Sequence, residues 1–327
     1  MSLPETYKAI QPDEKGQPIL KEFPLQKPST DQVLVRVEYA TLSPVEIHFL
    51  ALGTPANTPN SRYGFEGSGI VVAVGDNLKR SFKVGDRVHV GDGSWSQYLL
   101  AKSEDVYPVL QKDIPLEDVC AHYVNPVTVH HMGAVAEKGG HKAVIVTAAG
   151  SLLGRMAIKY FSLKGIKIIC VVRRNEHIKE LKEEGADYVL NSQAPDFEDK
   201  LKELAEKENA TLSFDAVAGD FTNKILASQP PGSTCLVYGL LSGHTVNGIS
   251  IMELFKKKRL GGLLATEHIA DYEKQGQKQK LFTELHELLP TAFKSRIHKI
   301  FKFEDIQDAF AEFKATSSVG KIVLKVN

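Results

Sequence analysis

The sequence predicts an α/β protein in which a doubly wound parallel sheet is joined to a smaller, mostly antiparallel β-barrel-type domain. Three observations lead there. The 327 residues are long for one hydrophobic core and suit two domains. Residues 142–174 pass from a β-branched strand through a turn of small residues and an apolar helix to a second β-rich strand, one complete βαβ unit. From about Tyr123 strand-like and helix-like patterns alternate, whereas the first third holds short β-like runs divided by glycine turns.

In chain order, residues 32–40 alternate, with Val33, Val35 and Val37 opposite Leu34, Arg36 and Glu38, which suits a half-buried strand. Residues 44–52 place Val45, Ile47, Phe49 and Leu52 at helical spacing behind Pro44, a residue favoured at a first helical turn. Residues 67–74, 86–90 and 95–101 read as short strands. After the βαβ unit come a charged helix over 176–184 stopped by Gly185, a strand at 188–190, and a helix over 196–209 with Phe197, Leu201 and Leu204 on one side. Strands follow at 212–217, 234–238 and 260–265, the sixth of the series, and then one long helix over 273–289. The tail, 299–327, changes texture again, with a helix over 304–315 and a closing strand from Gly320.

The turn at 148–154 carries the chemistry. Ala148, Ala149, Gly150, Ser151, Leu152, Leu153 and Gly154 form a largely small-residue turn that lets the backbone approach a pyrophosphate. The N–H groups of the helix behind it face that anion. Ser151 and Leu152 stand where glycines often stand, so an ordinary strand–turn–helix without a ligand is the alternative. The second strand ends in Arg173 and Arg174, where an NAD-binding unit usually carries an acid for the ribose 2′-hydroxyl. Two cations there favour a 2′-phosphate, hence NADPH; the competing reading is a solvated strand end.

Composition narrows the class. Forty basic and 40 acidic residues leave no electrostatic footprint for nucleic acid or an anionic membrane. No apolar run approaches a transmembrane span, and the N-terminus has neither a signal-peptide core nor the character of a transit peptide. Cys120, Cys170 and Cys235 are widely spaced and odd in number, which argues against a disulfide framework and for a reducing compartment. A soluble, cytoplasmic protein with a small-molecule substrate is expected. There is no Cys-x-x-Cys, and among 11 histidines the pair His130-His131 has no cysteine or carboxylate at ligand spacing, so surface or helix-flank histidines are expected.

Eight segments in register resemble the medium-chain dehydrogenase/reductase superfamily, in its zinc-free quinone-oxidoreductase and enoyl-thioester-reductase branch. They are Leu42-Ser-Pro-Val-Glu-Ile, Gly64-Phe-Glu-Gly-Ser-Gly-Ile-Val-Val-Ala-Val-Gly75, Val84-Gly-Asp-Arg-Val88, Asn125-Pro-Val-Thr128, the Ala148–Gly154 turn, Phe214-Asp-Ala-Val-Ala-Gly219, Val237-Tyr-Gly239 and Gly320-Lys-Ile-Val-Leu324. The resemblance implies a GroES-like catalytic domain from both chain ends, 1–122 and 293–327, around a Rossmann domain at 123–292. It also implies that Ser151 donates to a phosphate and that Arg173 lies near the 2′-phosphate. Thr128 would sit beside the nicotinamide or its ribose, and Val217, Ala218, Tyr238 and Gly239 would close over the cofactor at strand ends.

Departures from the family pattern bear on the reaction. Zinc-dependent relatives carry a histidine where this chain has Phe65 and a cysteine where it has Ser43, so no catalytic metal is expected. Enoyl-thioester reductases carry a donor tyrosine shortly after the Pro44-type helix; here residues 51–58 hold none, and Thr54 is a poor acid. Tyr63 and Glu66 are the weak catalytic candidates, Tyr63 more simply a packing residue and Glu66 more simply the residue that orders its loop. The expected function is NADPH-dependent hydride transfer to an electron-poor C=C or quinone, with water supplying the proton. The alternatives are an enoyl-thioester reductase with a displaced donor and a non-catalytic, nucleotide-binding relative serving as a structural or regulatory subunit. A homodimer is expected from the resemblance and from the apolar, glycine-containing strand at 260–265, a sheet edge open to pairing.

Overall fold

The structure, a computed structural model, describes residues 3–46, 63–316 and 319–327. The chain divides into two compact units: Met1–Val124, Phe282–Leu289 and Lys294–Asn327 form one, and Asn125–Leu281 with Pro290–Phe293 form the other. Relative to the boundaries expected from sequence, Phe282–Leu289 sits with the first unit. Phe282 stacks on Tyr107 at 3.5 Å between centroids, and His286 stacks on His122 at 5.2 Å.

The first unit opens with β1 (Thr6–Pro12) and β2 (Pro18–Pro24), an antiparallel hairpin. It is followed by β3 (Gln32–Leu42), β4 (Gly67–Val74), β5 (Arg87–Val90), β6 (Tyr98–Lys102) and β7 (Val106–Pro108). β3 is the long spine, pairing antiparallel with both β4 and β6. Val33, Val35 and Val37 point into the core as their alternation requires, but Leu34 is buried as well, because the opposite face is also covered. The expected strand over 95–101 begins only at Tyr98; Trp95 is fully buried and its indole N–H donates to the Thr41 carbonyl at 2.8 Å. Helix begins at Pro44 as expected, and the rest of that stretch, with Ile47, Phe49, Leu52 and Thr54, lies outside the described residues. A short helix, α1 (Leu116–Val119), precedes the second unit.

The next stretch contains α2 (Val124–Lys138), β8 (Ala143–Val146), α3 (Leu152–Leu163), β9 (Lys167–Val172), α4 (Glu176–Glu183), β10 (Tyr188–Asn191), α5 (Phe197–Lys207) and β11 (Leu212–Asp215). Then come α6 (Asp220–Ser228), β12 (Thr234–Val237), α7 (Ile251–Phe255), β13 (Arg259–Gly262), α8 (Ala265–Lys274) and α9 (Lys278–Glu287). The six strands run parallel in the order β10-β9-β8-β11-β12-β13. Numbered within the sheet, that is 3-2-1-4-5-6, the doubly wound order in which the connection reverses between β8 and β11. β8 and β9 are buried on both faces, so they read as continuous apolar runs rather than alternating ones. The long helix expected over 273–289 is α9, which starts only at Lys278, and an unexpected helix, α8, precedes it from Ala265, so this stretch holds two helices. Gly276, at φ +68°, takes a left-handed conformation that ends the first of them.

The tail completes the first unit. β14 (Ile297–Lys302) pairs with β15 (Lys321–Lys325), and β15 lies antiparallel to β3, with Ile322 opposite Leu42. Early and late segments of the chain therefore share one sheet. Between the two strands α10 (Ile306–Thr316) packs Ile306, Ala309, Phe310 and Phe313 into the core that holds Trp95 and Val35.

Candidate functional site

Four of the expected cofactor segments gather at the carboxyl ends of the parallel strands. The Ala148–Gly154 turn follows β8, Arg173 and Arg174 follow β9, Val217 and Ala218 follow β11, and Tyr238 and Gly239 follow β12. These ends flank the reversal between β8 and β11, where open α/β sheets bind ligands. Thr128 comes from elsewhere, a buried position on α2.

The turn is built for close approach. Ala148 adopts φ +50°, unusual for a residue with a Cβ, and its carbonyl accepts from the Ser151 N–H at 2.9 Å. Ser151 caps α3, its hydroxyl oxygen accepting from the Gly154 N–H at 3.1 Å. That leaves the hydroxyl proton for a ligand. The Leu152 and Leu153 N–H groups have no acceptor among the described residues, so the partly exposed start of α3 presents two donors and a positive dipole end. Gly154 admits no side chain, because a Cβ there would lie 2.4 Å from the Ala149 carbonyl oxygen. These features suit the pyrophosphate of a dinucleotide.

The two arginines behave differently. Arg174 is held by Glu176 at 3.1 Å and by His177 at 3.2 Å. Arg173 is exposed and has no side-chain partner among the described residues, so its guanidinium stands ready for an anion.

Asp215, which sequence reasoning passed over within its motif, organises the strand ends. Fully buried at the end of β11, its carboxylate accepts from the hydroxyls of Thr147 (2.7 Å) and Thr222 (2.6 Å) and from the N–H groups of Val217 (2.9 Å) and Ala218 (3.2 Å). This ties the end of β8 to the loop after β11 and holds Ala218 at φ +61°. An acid closing an apolar strand was the available signal. Tyr238 has a hydroxyl that is enclosed and without a partner among the described residues, and burial pushes its pKa far up.

In the first unit Glu66 is sealed from solvent. It accepts from Thr41 Oγ1 at 2.8 Å, from the N–H groups of Val124 (2.8 Å) and Tyr123 (3.2 Å), and from the Lys321 ammonium on β15. Burial alone would raise its pKa, but Lys321 and these donors together hold it below the ordinary carboxylate value. With so many contacts already made, Glu66 fastens its loop to β3 and β15.

Glu46, also unforeseen, is buried beside it and accepts from Ser43 N at 2.7 Å and Phe65 N at 2.5 Å. Burial, helped by the charge of Glu66, raises its pKa to about 8 despite the two N–H donors. A folded-state pKa above the unfolded value near 4.5 means that the folded chain holds a proton the unfolded chain has released. Stability should therefore decline from about pH 4.5 to about 8, at up to roughly 1.4 kcal/mol per pH unit. Glu46→Gln should flatten that decline in urea melts at pH 6 and 9. It should also lower stability at pH 6, because its amide NH₂ must face a backbone N–H. A variant as pH-sensitive as the parent would assign the decline elsewhere.

Tyr63 is nine-tenths buried, its hydroxyl without a partner among the described residues, and burial raises its pKa. The His130-His131 pair is not the surface feature expected. His130 is buried and hydrogen-bonds His268 at 2.8 Å, while His131 stacks on the same ring at 4.6 Å, because α8 covers this stretch of α2. Among the described residues no group of three or more His, Cys, Asp or Glu side chains is arranged to hold a metal ion. Ser43 and Phe65, the two positions from which the absence of a catalytic metal was expected, both donate backbone N–H groups to Glu46.

Comparison with known proteins agrees with this architecture. Residues 153–276 match the family described as zinc-binding dehydrogenase, and residues 29–111 match the alcohol dehydrogenase GroES-like domain. The mitochondrial enoyl-[acyl-carrier-protein] reductase of Rattus norvegicus is 30% identical over 256 residues, covering 74% of this chain and 67% of that protein. A Schizosaccharomyces pombe protein described as a quinone oxidoreductase is 26% identical over 326 residues, 95% of this chain and 93% of its own. A Mesorhizobium loti protein described as an NADPH:quinone reductase superposes over the whole of both chains with a TM-score of 0.83 and 26% identity. The chain belongs to the medium-chain dehydrogenase/reductase superfamily, in its quinone-oxidoreductase and enoyl-reductase branch.

Proposed function

We propose that the protein is an NADPH-dependent, zinc-independent reductase that transfers hydride to an electron-poor C=C or quinone. The observation that carries this reading is the unpaired Arg173 guanidinium beside a helix start with two open N–H donors, at the reversal point of a doubly wound sheet. NADPH would be held by the 148–154 turn, Arg173 and the loops that Asp215 positions. When bound it supplies the hydride, and the protein contributes orientation and exclusion of water. Water provides the proton, because Glu66 is fully engaged and Tyr63 faces a cavity that no residue assigned to the dinucleotide lines. The three cysteines are free and buried, which supports a reducing, cytoplasmic setting. No helix among the described residues is long and apolar enough to cross a membrane.

A fluorescence titration with NADPH and NADH, followed by turnover on a panel of quinones and enones, tests the proposal. Tight NADPH binding with no turnover on any of them would favour the non-catalytic reading. The enoyl-thioester alternative is favoured by the rat reductase at 30% identity, and preferential turnover of a crotonyl thioester would establish it.

We also propose a homodimer formed through β13. That strand lies at the end of the sheet and is mostly exposed, and the helix before it shows solvent an apolar face, with Phe255 70% and Ile251 59% exposed. Light scattering should return twice the chain mass at micromolar concentration and a monomer for Leu260→Asp. A monomeric parent would overturn the assignment.

A further inference from the structure

Under the β1–β2 hairpin lies a cavity of about 250 Å³, all of whose walls belong to the first unit. The hairpin is fastened along β1, where Ile10 N–H donates to the Trp95 carbonyl and Gln97 N–H to the Lys8 carbonyl, and along β2, where the Gln307 side chain donates to the Pro18 carbonyl. Between these attachments a space remains that hairpin and barrel side chains line together. Tyr7, Phe23 and Tyr98 form an aromatic wall, with Tyr7 lying 6.0 Å from Phe23 and 6.3 Å, edge-on, from Tyr98. Leu34, Tyr63 and Trp95 also line the space, and no acidic, basic or histidine side chain does.

These walls select their occupant. With no charged side chain in the walls, an ion would gain no counter-charge there, which disfavours charged molecules. The aromatic and aliphatic side chains favour a flat body, and Gln11, Gln26 and Ser96 beside them accommodate its polar groups. A void of this size is ample for a bicyclic molecule, since apolar cavities of roughly 150 Å³ take up benzene. Tyr63 adds a direction. It is nine-tenths buried, lines the cavity, and carries a hydroxyl with no partner among the described residues. An unpaired buried hydroxyl is costly, and an acceptor on a ligand relieves that cost. We propose that this cavity is a binding site for an uncharged, flat, mono- or bicyclic carbonyl compound, whose oxygen accepts from Tyr63. The site is independent of the nicotinamide reading, because none of the residues assigned to the dinucleotide lines it.

The chain has a single tryptophan, Trp95, and it lines the cavity, so its emission reports occupancy directly. Calorimetric titration with 1-indanone, read alongside that emission, should give saturable binding, whereas benzoate should give none. Indane, which lacks the carbonyl, should bind more weakly. Tyr63→Phe should weaken 1-indanone by roughly five- to tenfold, the value of one hydrogen bond, and leave indane unchanged. Leu25→Trp, which adds bulk at a half-buried lining position, should weaken binding of both by roughly tenfold or more. No saturable binding of 1-indanone, benzoate binding equally well, equal weakening of both probes by Tyr63→Phe, or unchanged binding of both probes by Leu25→Trp would each overturn the proposal.

Discussion

Lys321→Met is expected to destabilise the first unit by about 3–5 kcal/mol at pH 8, the usual cost of stranding a buried charge. Glu66 is sealed from solvent and Lys321 is its only cation among the described residues. Thr41 and the Tyr123 and Val124 amides remain in the variant but do not neutralise the carboxylate. For a unit of this size the loss amounts to roughly 6–20 °C in melting temperature. The deficit should shrink toward pH 5. Without Lys321 the burial contribution dominates, the folded-state pKa of Glu66 rises above its unfolded value, and stability then falls as pH increases. Adding Glu66→Gln should restore more than half of the loss, because it removes the stranded charge. Thermal melts of the single and double variants at pH 5 and 8 check this. Equal melting temperatures for the two variants would mean that solvent reaches Glu66.

Arg173→Ala is expected to weaken NADPH by roughly ten- to a hundredfold while leaving NADH nearly unchanged. A charge-assisted contact with a 2′-phosphate contributes on the order of 1.5–3 kcal/mol, and NADH has no such phosphate. Arg174→Ala should matter less, since that guanidinium is already shared with Glu176 and His177. Paired fluorescence titrations of both variants with both cofactors provide the check. Equal loss of NADPH and NADH affinity would remove Arg173 from the 2′-phosphate. A larger loss at Arg174 would reverse the roles of the two side chains.

The alternation of strands and helices and the Ser151-capped turn follow from patterns that lie close together in the chain. Doubly buried strands are continuous apolar runs, and a helix start is marked by its cap, so residues 142–174 were readable from local sequence. Gly276 was equally local, yet one helix was expected to run from 273 straight through it; its left-handed conformation instead separates α8 from α9. Leu34 misled for a different reason. Alternation predicts which residues share a face but not whether the second face is covered.

By itself, then, the sequence determined the two-domain class, the strand–turn–helix that suits a dinucleotide, and the pair of arginines behind the second strand. Tertiary structure alone decided which side chains meet. Lys321 reaches Glu66 across 255 positions of sequence and His268 reaches His130 across 138, and neither pairing leaves a local trace. It also decided that Arg174 is occupied and Arg173 is open, and that Glu46 lies beside a second carboxylate and is pushed toward its protonated form. The physical reason is the range of the forces. Backbone propensity and amphipathic period act within a few residues and leave their imprint in order along the chain. Burial of charge depends on how distant segments close over it, and that is fixed only when β15 docks beside β3.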